Sequence, residues 1–247
     1  MMIKQLSSKI RKAFGEAIHD FEMIREGDSI LIGLSGGKDS MLLLLALNFL
    51  QRKSPVSFNL RATMIDCTDK NLDLSPWINF SGNLGVPLDI VHYPIFDIIK
   101  KREERSPCSL CANLRRGILA SRAKELECNC IALGHHKDDA IETLFLNLFY
   151  AGHLKTFHPH MYMNRSKIRV VRPMVYLDEA EISAEVKKLD LPVLNQECPF
   201  AADTGRAKIK ETVSTLALQF PDLKSNVVHA LRYFNANDIW LESFLPS

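Results

Sequence analysis

The stretch that most constrains this chain is Ser35-Gly36-Gly37-Lys38-Asp39-Ser40. Before it runs Ser29-Ile30-Leu31-Ile32-Gly33-Leu34, apolar enough for a buried strand; after it, Met41 to Leu50 reads as a buried helix. Two adjacent glycines at such a turn let the backbone approach a ligand without an intervening side chain. The helix start offers unpaired N–H groups and the positive end of its dipole, so the expected ligand is an anion, most often phosphate. The P-loop pattern Gly-x-x-x-x-Gly-Lys-Ser/Thr is excluded, because Ile32 stands where its first glycine should be and Asp39 follows Lys38. No Gly-x-Gly-x-x-Gly spacing occurs either.

What remains, Ser-Gly-Gly-x-Asp-Ser after a strand, resembles the signature of the PP-loop ATP pyrophosphatases. Those enzymes cleave ATP between the α and β phosphates and adenylate a substrate. A glycine-rich turn with no ligand is the plain alternative.

The rest of the chain agrees with an α/β architecture. Apolar residues from Ile3 to Ile24 recur at three or four, which predicts an amphipathic N-terminal helix. Strands are expected at Phe58 to Ile65, Leu88 to His92, Asn129 to Leu133 and Lys167 to Val171. Helices are expected at Leu74 to Leu84, Cys111 to Leu126, Asp138 to Tyr150, Asp178 to Leu189, Arg206 to Gln219 and Leu223 to Phe234. Alternation of strand and helix argues a doubly wound parallel sheet with helices on both faces. The expected division is an N-terminal helix (1–25), a nucleotide domain (26–175) carrying a Cys-x-x-Cys segment, and a C-terminal helical region (176–247) carrying Cys198.

Gly134-His135-His136-Lys137-Asp138-Asp139 falls where the fourth strand meets its helix. In a doubly wound sheet this loop neighbours the first one if strands one and four are adjacent. Asp138 and Asp139 are candidate Mg²⁺ ligands, with Asp39 a third; one of the pair is expected to cap the helix instead. His135, nearest the strand end, is the better of the two histidines for a nucleotide contact, and Asp66 ends the second strand on the same edge.

Six cysteines in a chain without a signal-peptide pattern or a long apolar run point to the cytoplasm, and to metal or catalysis rather than disulfides. Cys108 and Cys111 are close enough to share one metal centre, with Arg115 and Arg116 following. Cys198 is the accessible third cysteine; Cys128, Cys130 and Cys67 read as packing residues. Three thiolates leave one iron of a [4Fe–4S] cluster open, whereas zinc needs a fourth donor such as His135, His136 or Cys67.

Net charge is only +2, yet Lys100 to Lys124 holds eight Lys or Arg against two Glu. His153 to Arg172 holds five Lys or Arg, three His and no acid, and Arg206, Lys208 and Lys210 form a third basic cluster. Such patches suit a polyanion partner, or are solvated faces.

Taken together, Ser35 to Ser40, Cys108-Ser-Leu-Cys111 with its Leu-Arg-Arg-Gly tail, and Gly134 to Asp139 continuing to Tyr150 resemble the TtcA family, which thiolates C2 of a cytidine in the tRNA anticodon loop. The resemblance implies ATP and Mg²⁺, with Ser35, Gly36, Gly37, Lys38, Asp39 and Ser40 on the triphosphate. It also implies a [4Fe–4S] cluster on Cys108, Cys111 and Cys198, although Pro199-Phe200-Ala201 follows Cys198 where other members have a further Cys-x-x-Cys. Arg115, Arg116, Lys155, Arg165 and Arg172 would hold the anticodon stem-loop, and a desulfurase or carrier would supply sulfur. Two rivals are a lysidine-synthetase-like enzyme with an amine nucleophile and an ATP-binding module with structural zinc. The apolar face of the first helix suits either a homodimer or packing on the same chain.

Overall fold

The computed structural model describes residues 5–67, 72–103, 107–194, 199–200 and 205–235. The chain runs α1 (Ser8–Asp20), β1 (Asp28–Leu34), α2 (Lys38–Gln51), β2 (Phe58–Asp66), α3 (Ser75–Asn83), β3 (Leu88–His92), α4 (Ile95–Lys101), α5 (Pro107–Glu125), β4 (Cys130–Ala132) and α6 (Lys137–Ala151). It continues through β5 (His160–Met163), β6 (Ile168–Val171), α7 (Glu179–Lys188), α8 (Gly205–Gln219) and α9 (Leu223–Arg232).

The strands form one sheet in the order β3-β2-β1-β4-β6-β5, parallel except for β5 at the edge, which pairs antiparallel with β6. The chain builds outward from β1 through β2 to β3, then returns to place β4 on the other side of β1. Strand order therefore reverses between β1 and β4, and a doubly wound sheet opens its ligand crevice at that point.

The alternation along β1 shows how the sequence makes two layers. Ile30, Ile32 and Leu34 enter the larger core, while Leu31 faces the smaller one on the other side. The larger core takes in α2, buried from Ser40 to Asn48, and the apolar stripes of α1 (Ile10, Phe14, Ala17) and α7 (Ile182, Val186). The smaller core lies under α4 and α5, through Ile95, Ile99, Leu119 and Ala123. The apolar face of α1 is thus covered by its own chain. The α8–α9 pair joins α6 through a separate cluster of Ile141, Ile209 and Val213, flanked by Phe145, Leu146 and Val227.

Two elements went unanticipated. α4 is only seven residues long and β5 only four, both shorter than the windows in which periodicity declares itself. The β5–β6 hairpin matters for the basic residues. β6 runs parallel to β1, so the turn before β6, with Arg165 exposed and Lys167 at φ +58, lies at the sheet edge opposite the glycine turn.

Cys128 and Cys130 sit at that same far edge and are buried, as expected for packing residues. Burial pushes the Cys130 thiol up to about 12, so it stays protonated and unreactive at neutral pH. Iodoacetamide applied to the native protein should label exposed Cys108 and spare Cys130 until denaturant is added. Peptide mass mapping reads the difference; equal labelling rates would contradict this packing.

Candidate nucleotide and cysteine site

The glycine turn is fixed from within. Ser40, in the first turn of α2, donates from Oγ to Gly37 O at 2.9 Å and accepts the Ser35 N–H at 3.1 Å. Ser35 Oγ in turn accepts the Gly37 N–H at 3.3 Å. Gly37 is the N-cap of α2 and supplies no capping side chain, so the helix start stays open to an anion. Gly36 has φ +76, a conformation that costs little only for glycine. Its carbonyl accepts the Leu194 N–H at 2.8 Å, and a Cβ at Gly36 would lie 3.0 Å from Leu194 Cβ.

The second loop comes up against the first. A Cβ at Gly134 would fall 3.1 Å from the Asp39 carbonyl carbon and 3.2 Å from Ser40 N. The adjacency of β1 and β4 thus brings the two sequence constellations into backbone contact. Asp139 takes the capping role, accepting the His136 N–H at 3.1 Å. Asp138 instead accepts the Glu179 N–H at 2.7 Å and pairs with Lys224. Burial would raise the Asp138 carboxyl, but these two donors hold it below the usual carboxylate range.

His136 lies inside the ring of carboxylates, its Nε2 3.8 Å from Asp39 Oδ1 and 3.5 Å from Asp139 Oδ2, its Nδ1 3.7 Å from Asp138 Oδ2. The His135 ring packs at a tilt against Phe157, centroids 5.0 Å apart, and its buried Nδ1 has no hydrogen-bond partner among the described residues. Burial first, then the charge of Arg172, lowers its imidazole to about 4, so it is neutral at pH 7.

Lys38 points back across the loop. Its Nζ is 2.9 Å from Asp39 Oδ1 and 3.1 Å from Glu179 Oε1. Burial works against the ammonium, yet the two carboxylates outweigh it and raise the lysine. Cations from the C-terminal helices complete the network: Arg206 on Asp139 and Glu142, Lys210 on Glu179, and Lys224 on Asp138. Sequence reasoning marked Arg206 and Lys210 only as part of a basic cluster and missed Glu179. Their partners are distant in the chain, and the one available signal was the acid-rich first turn of α7.

Among the described residues no three His, Cys, Asp or Glu side chains are grouped closely enough to hold a metal ion by themselves. Mg²⁺ does not need such a cage, since it takes one or two carboxylates and completes its shell with water and phosphate oxygens. The hard oxygen donors Asp39, Asp138 and Asp139 beside the phosphate turn fit that chemistry. Among the described residues, Cys108 and Cys111 are not grouped with His135, His136 or Cys67; the third cysteine of the zinc alternative, Cys198, lies outside the described residues.

Cys108 and Cys111 stand at the start of α5 at a spacing that puts both on one helix face, Cys108 exposed and Cys111 half-buried. Soft thiolates on one face fit an iron–sulfur group. Cys198 lies outside the described residues. On one side of it in the chain, Leu194 bonds to the glycine turn; on the other, Phe200 stacks edge-on against Phe96 at 5.9 Å and packs in the cluster that contains Cys111. Cys67 is buried at the end of β2, with Arg115 Nη2 3.2 Å from its sulfur. The buried Asp66 side chain faces His92 Nδ1 at 3.2 Å.

The basic residues divide. Arg116 and Lys155 are exposed. Arg172 is 7% exposed, donates to His158 O at 2.6 Å and lies over the Phe157 ring at 4.9 Å. Burial draws its guanidinium down to about 10. It braces the strand end and is not placed to meet a partner's phosphates.

A family model described as a PP-loop domain matches residues 3–216. The tRNA-cytidine(32) 2-sulfurtransferase of Pelobacter propionicus is 40% identical over 230 residues, covering 92% of this chain and 86% of the relative. The chain belongs to the TtcA family of PP-loop proteins. The relative of the same name from Geobacter sulfurreducens is 38% identical, covering 90% of this chain and 88% of its own. Among solved structures, the U34-tRNA thiolase NcsA from Methanococcus maripaludis with its [4Fe–4S] cluster superimposes with a TM-score of 0.73 at 23% identity, covering 90% of this chain and 76% of that one. That likeness is one of fold. In this TtcA family member the glycine turn, the Gly134 to Asp139 loop and the start of the cysteine-bearing α5 share one end of one sheet.

Proposed function

We propose that this chain is an ATP-dependent tRNA thiolase that replaces the C2 oxygen of an anticodon-loop cytidine with sulfur, at position 32 as its named relatives do. The observation that carries the reading is the backbone contact of Gly134 with Asp39 and Ser40, which puts a phosphate turn and a carboxylate loop on either side of one crevice.

Residues Ser35 to Ser40 hold the triphosphate through the open start of α2, and Gly134 and His135 border the nucleotide, with Asp66 on the same edge. The cytidine C2 oxygen attacks the α phosphorus, the bond to the bridging oxygen breaks and pyrophosphate leaves. Lys38 stabilises the charge that grows on the departing phosphates, and Asp39, Asp138 and Asp139 are the residues that would hold Mg²⁺. Sulfide-level sulfur, HS⁻, then attacks C2, the C2–O bond breaks, AMP leaves and the sulfur gives up its proton to water. A [4Fe–4S] group on Cys108, Cys111 and Cys198, when bound, would present sulfur at an iron left free of protein ligands. Arg116 and Lys155 meet the stem-loop near the crevice, and Arg165 meets RNA that extends past the far edge. Arg115 keeps its place beside Cys67.

A desulfurase or carrier supplies the sulfur, and the setting is cytoplasmic. No helix among the described residues is long and apolar enough to cross a membrane.

The test is anaerobic incubation of the protein with tRNA transcript, ATP, Mg²⁺ and sulfide, followed by nucleoside mass analysis. The expected product is 2-thiocytidine, with AMP and pyrophosphate formed in equal amount. AMP release that needs tRNA but yields no thionucleoside would instead indicate a different nucleophile, as in the lysidine-type reaction.

A further inference from the structure

One carboxylate beside the phosphate turn is held by two lysines from different parts of the fold. Glu179 begins α7; its Oε1 is 3.1 Å from Lys38 Nζ and 3.0 Å from Lys210 Nζ, and its Oε2 is 2.7 Å from Lys210 Nζ. Lys38 belongs to the phosphate turn. Lys210 belongs to α8, whose Ile209 and Val213 seat it on Ile141 of α6. The neighbouring Ile209 anchor fixes where the Lys210 stem leaves the helix.

A structural ion pair is a weak explanation for this arrangement. The Lys210 and Glu179 side chains are 52% and 28% exposed, and pairs so open to water contribute little to stability. The convergence has a clearer chemical sense. Glu179 presents two oxygens to two ammonium groups beside an open helix start, as the oxygens of a phosphate chain would.

We propose that Lys210 is a nucleotide-binding residue, released with Lys38 from Glu179 to grip the polyphosphate of ATP; this rests on the PP-loop reading of Ser35 to Ser40. Glu179 is then the placeholder anion that keeps both cations aimed at the crevice when no nucleotide is bound. The third basic cluster thereby acquires a ligand class, a di- or triphosphate, and α8 becomes a wall of the site.

The experiment is calorimetric titration of the full chain, without tRNA, with Mg²⁺–ATP, inorganic pyrophosphate and AMP. Wild type, Lys38→Ala, Lys210→Gln, Lys210→Arg and Glu179→Gln are compared, with thermal melts of each. Loss of one charge-assisted contact should weaken ATP and pyrophosphate binding by about tenfold in Lys210→Gln and leave AMP nearly unchanged. Lys210→Arg should recover most of the loss. Glu179→Gln, which removes the competing anion and neither cation, should bind ATP at least as tightly as wild type. That variant tests the idea even if Lys210→Gln folds poorly. The proposal is overturned if Lys38→Ala loses ATP while Lys210→Gln binds it like wild type, if AMP weakens as much as ATP, or if Glu179→Gln binds as poorly as Lys38→Ala. A wild-type chain that binds neither ATP nor pyrophosphate would remove the PP-loop reading itself, and this inference with it.

Discussion

Replacing either Cys108 or Cys111 with alanine is expected to abolish 2-thiocytidine formation while ATP binding stays at the wild-type level. The two activities separate because they live on different elements. The phosphate turn is closed by Ser35, Gly37 and Ser40 among themselves, by the Leu194 N–H and by the Gly134 loop. The thiols stand in the first turn of α5, above the smaller core. Alanine is the best helix former, so neither substitution disturbs the helix. Cys108 is exposed and Cys111 half-buried, so the packing loss is about 1 kcal/mol or less. The measurement is iron and acid-labile sulfide content of anaerobically purified protein, beside nucleoside analysis, with Cys198→Ala as the third arm. Loss of both iron and thiolation in all three variants supports the ligand set. A Cys108→Ala protein that still thiolates tRNA with its iron intact would remove that cysteine from the set.

Much of this architecture was legible from local signals, and the missing parts share a physical cause. β1 was readable as an apolar run, and β2 and β3 as short segments mixing apolar and polar residues, each bounded by turn chemistry. The contact between the two loops was conditional on the first and fourth strands being adjacent, and β1 does pair with β4. The helix at α5 begins four residues earlier than periodicity suggested, because Pro107 is tolerated in a first turn and carries both cysteines into the helix. α1 is shorter than its pattern: Ser7 caps it at one end, and Glu22 at φ +46 closes the other.

The ion-pair network was illegible for a different reason. Glu179, Arg206, Lys210 and Lys224 look like ordinary surface charges in sequence, and only the docking of α7, α8 and α9 around α6 brings them to Asp138, Asp139 and Lys38. Arg172 illustrates the converse. Its place at the end of a basic stretch suggested an RNA contact, but a strand end beneath Phe157 and His158 buries it.

Gly134→Val is expected to slow AMP formation by about a hundredfold, with Gly134→Ala in between, because spacing and not backbone conformation is at stake. Among the described glycines at left-handed φ are Gly27, Gly36, Gly85 and Gly152; Gly134 is not one of them, so a side chain brings no dihedral strain there. What it brings is contact with Asp39 C at 3.1 Å, Ser40 N at 3.2 Å and Asp39 O at 3.3 Å. All three are backbone atoms and cannot rotate aside, so the start of α2 must move away from the β4–α6 loop. A shift of tenths of an ångström separates Lys38 and Asp39 from Asp138 and His135, the groups that must act on one nucleotide together. Stability should change far less than rate. The alanine variant also loses unfolded-state freedom, which offsets part of the strain by about 0.4–1 kcal/mol. Gly15→Ala in α1, where a Cβ meets nothing within 4 Å, is the control. It should raise stability by about 1 kcal/mol and leave turnover unchanged. Pyrophosphate release and thermal melts on the three variants decide the matter: wild-type turnover in Gly134→Val would mean that the meeting of the two loops does not set the geometry of the adenylating site.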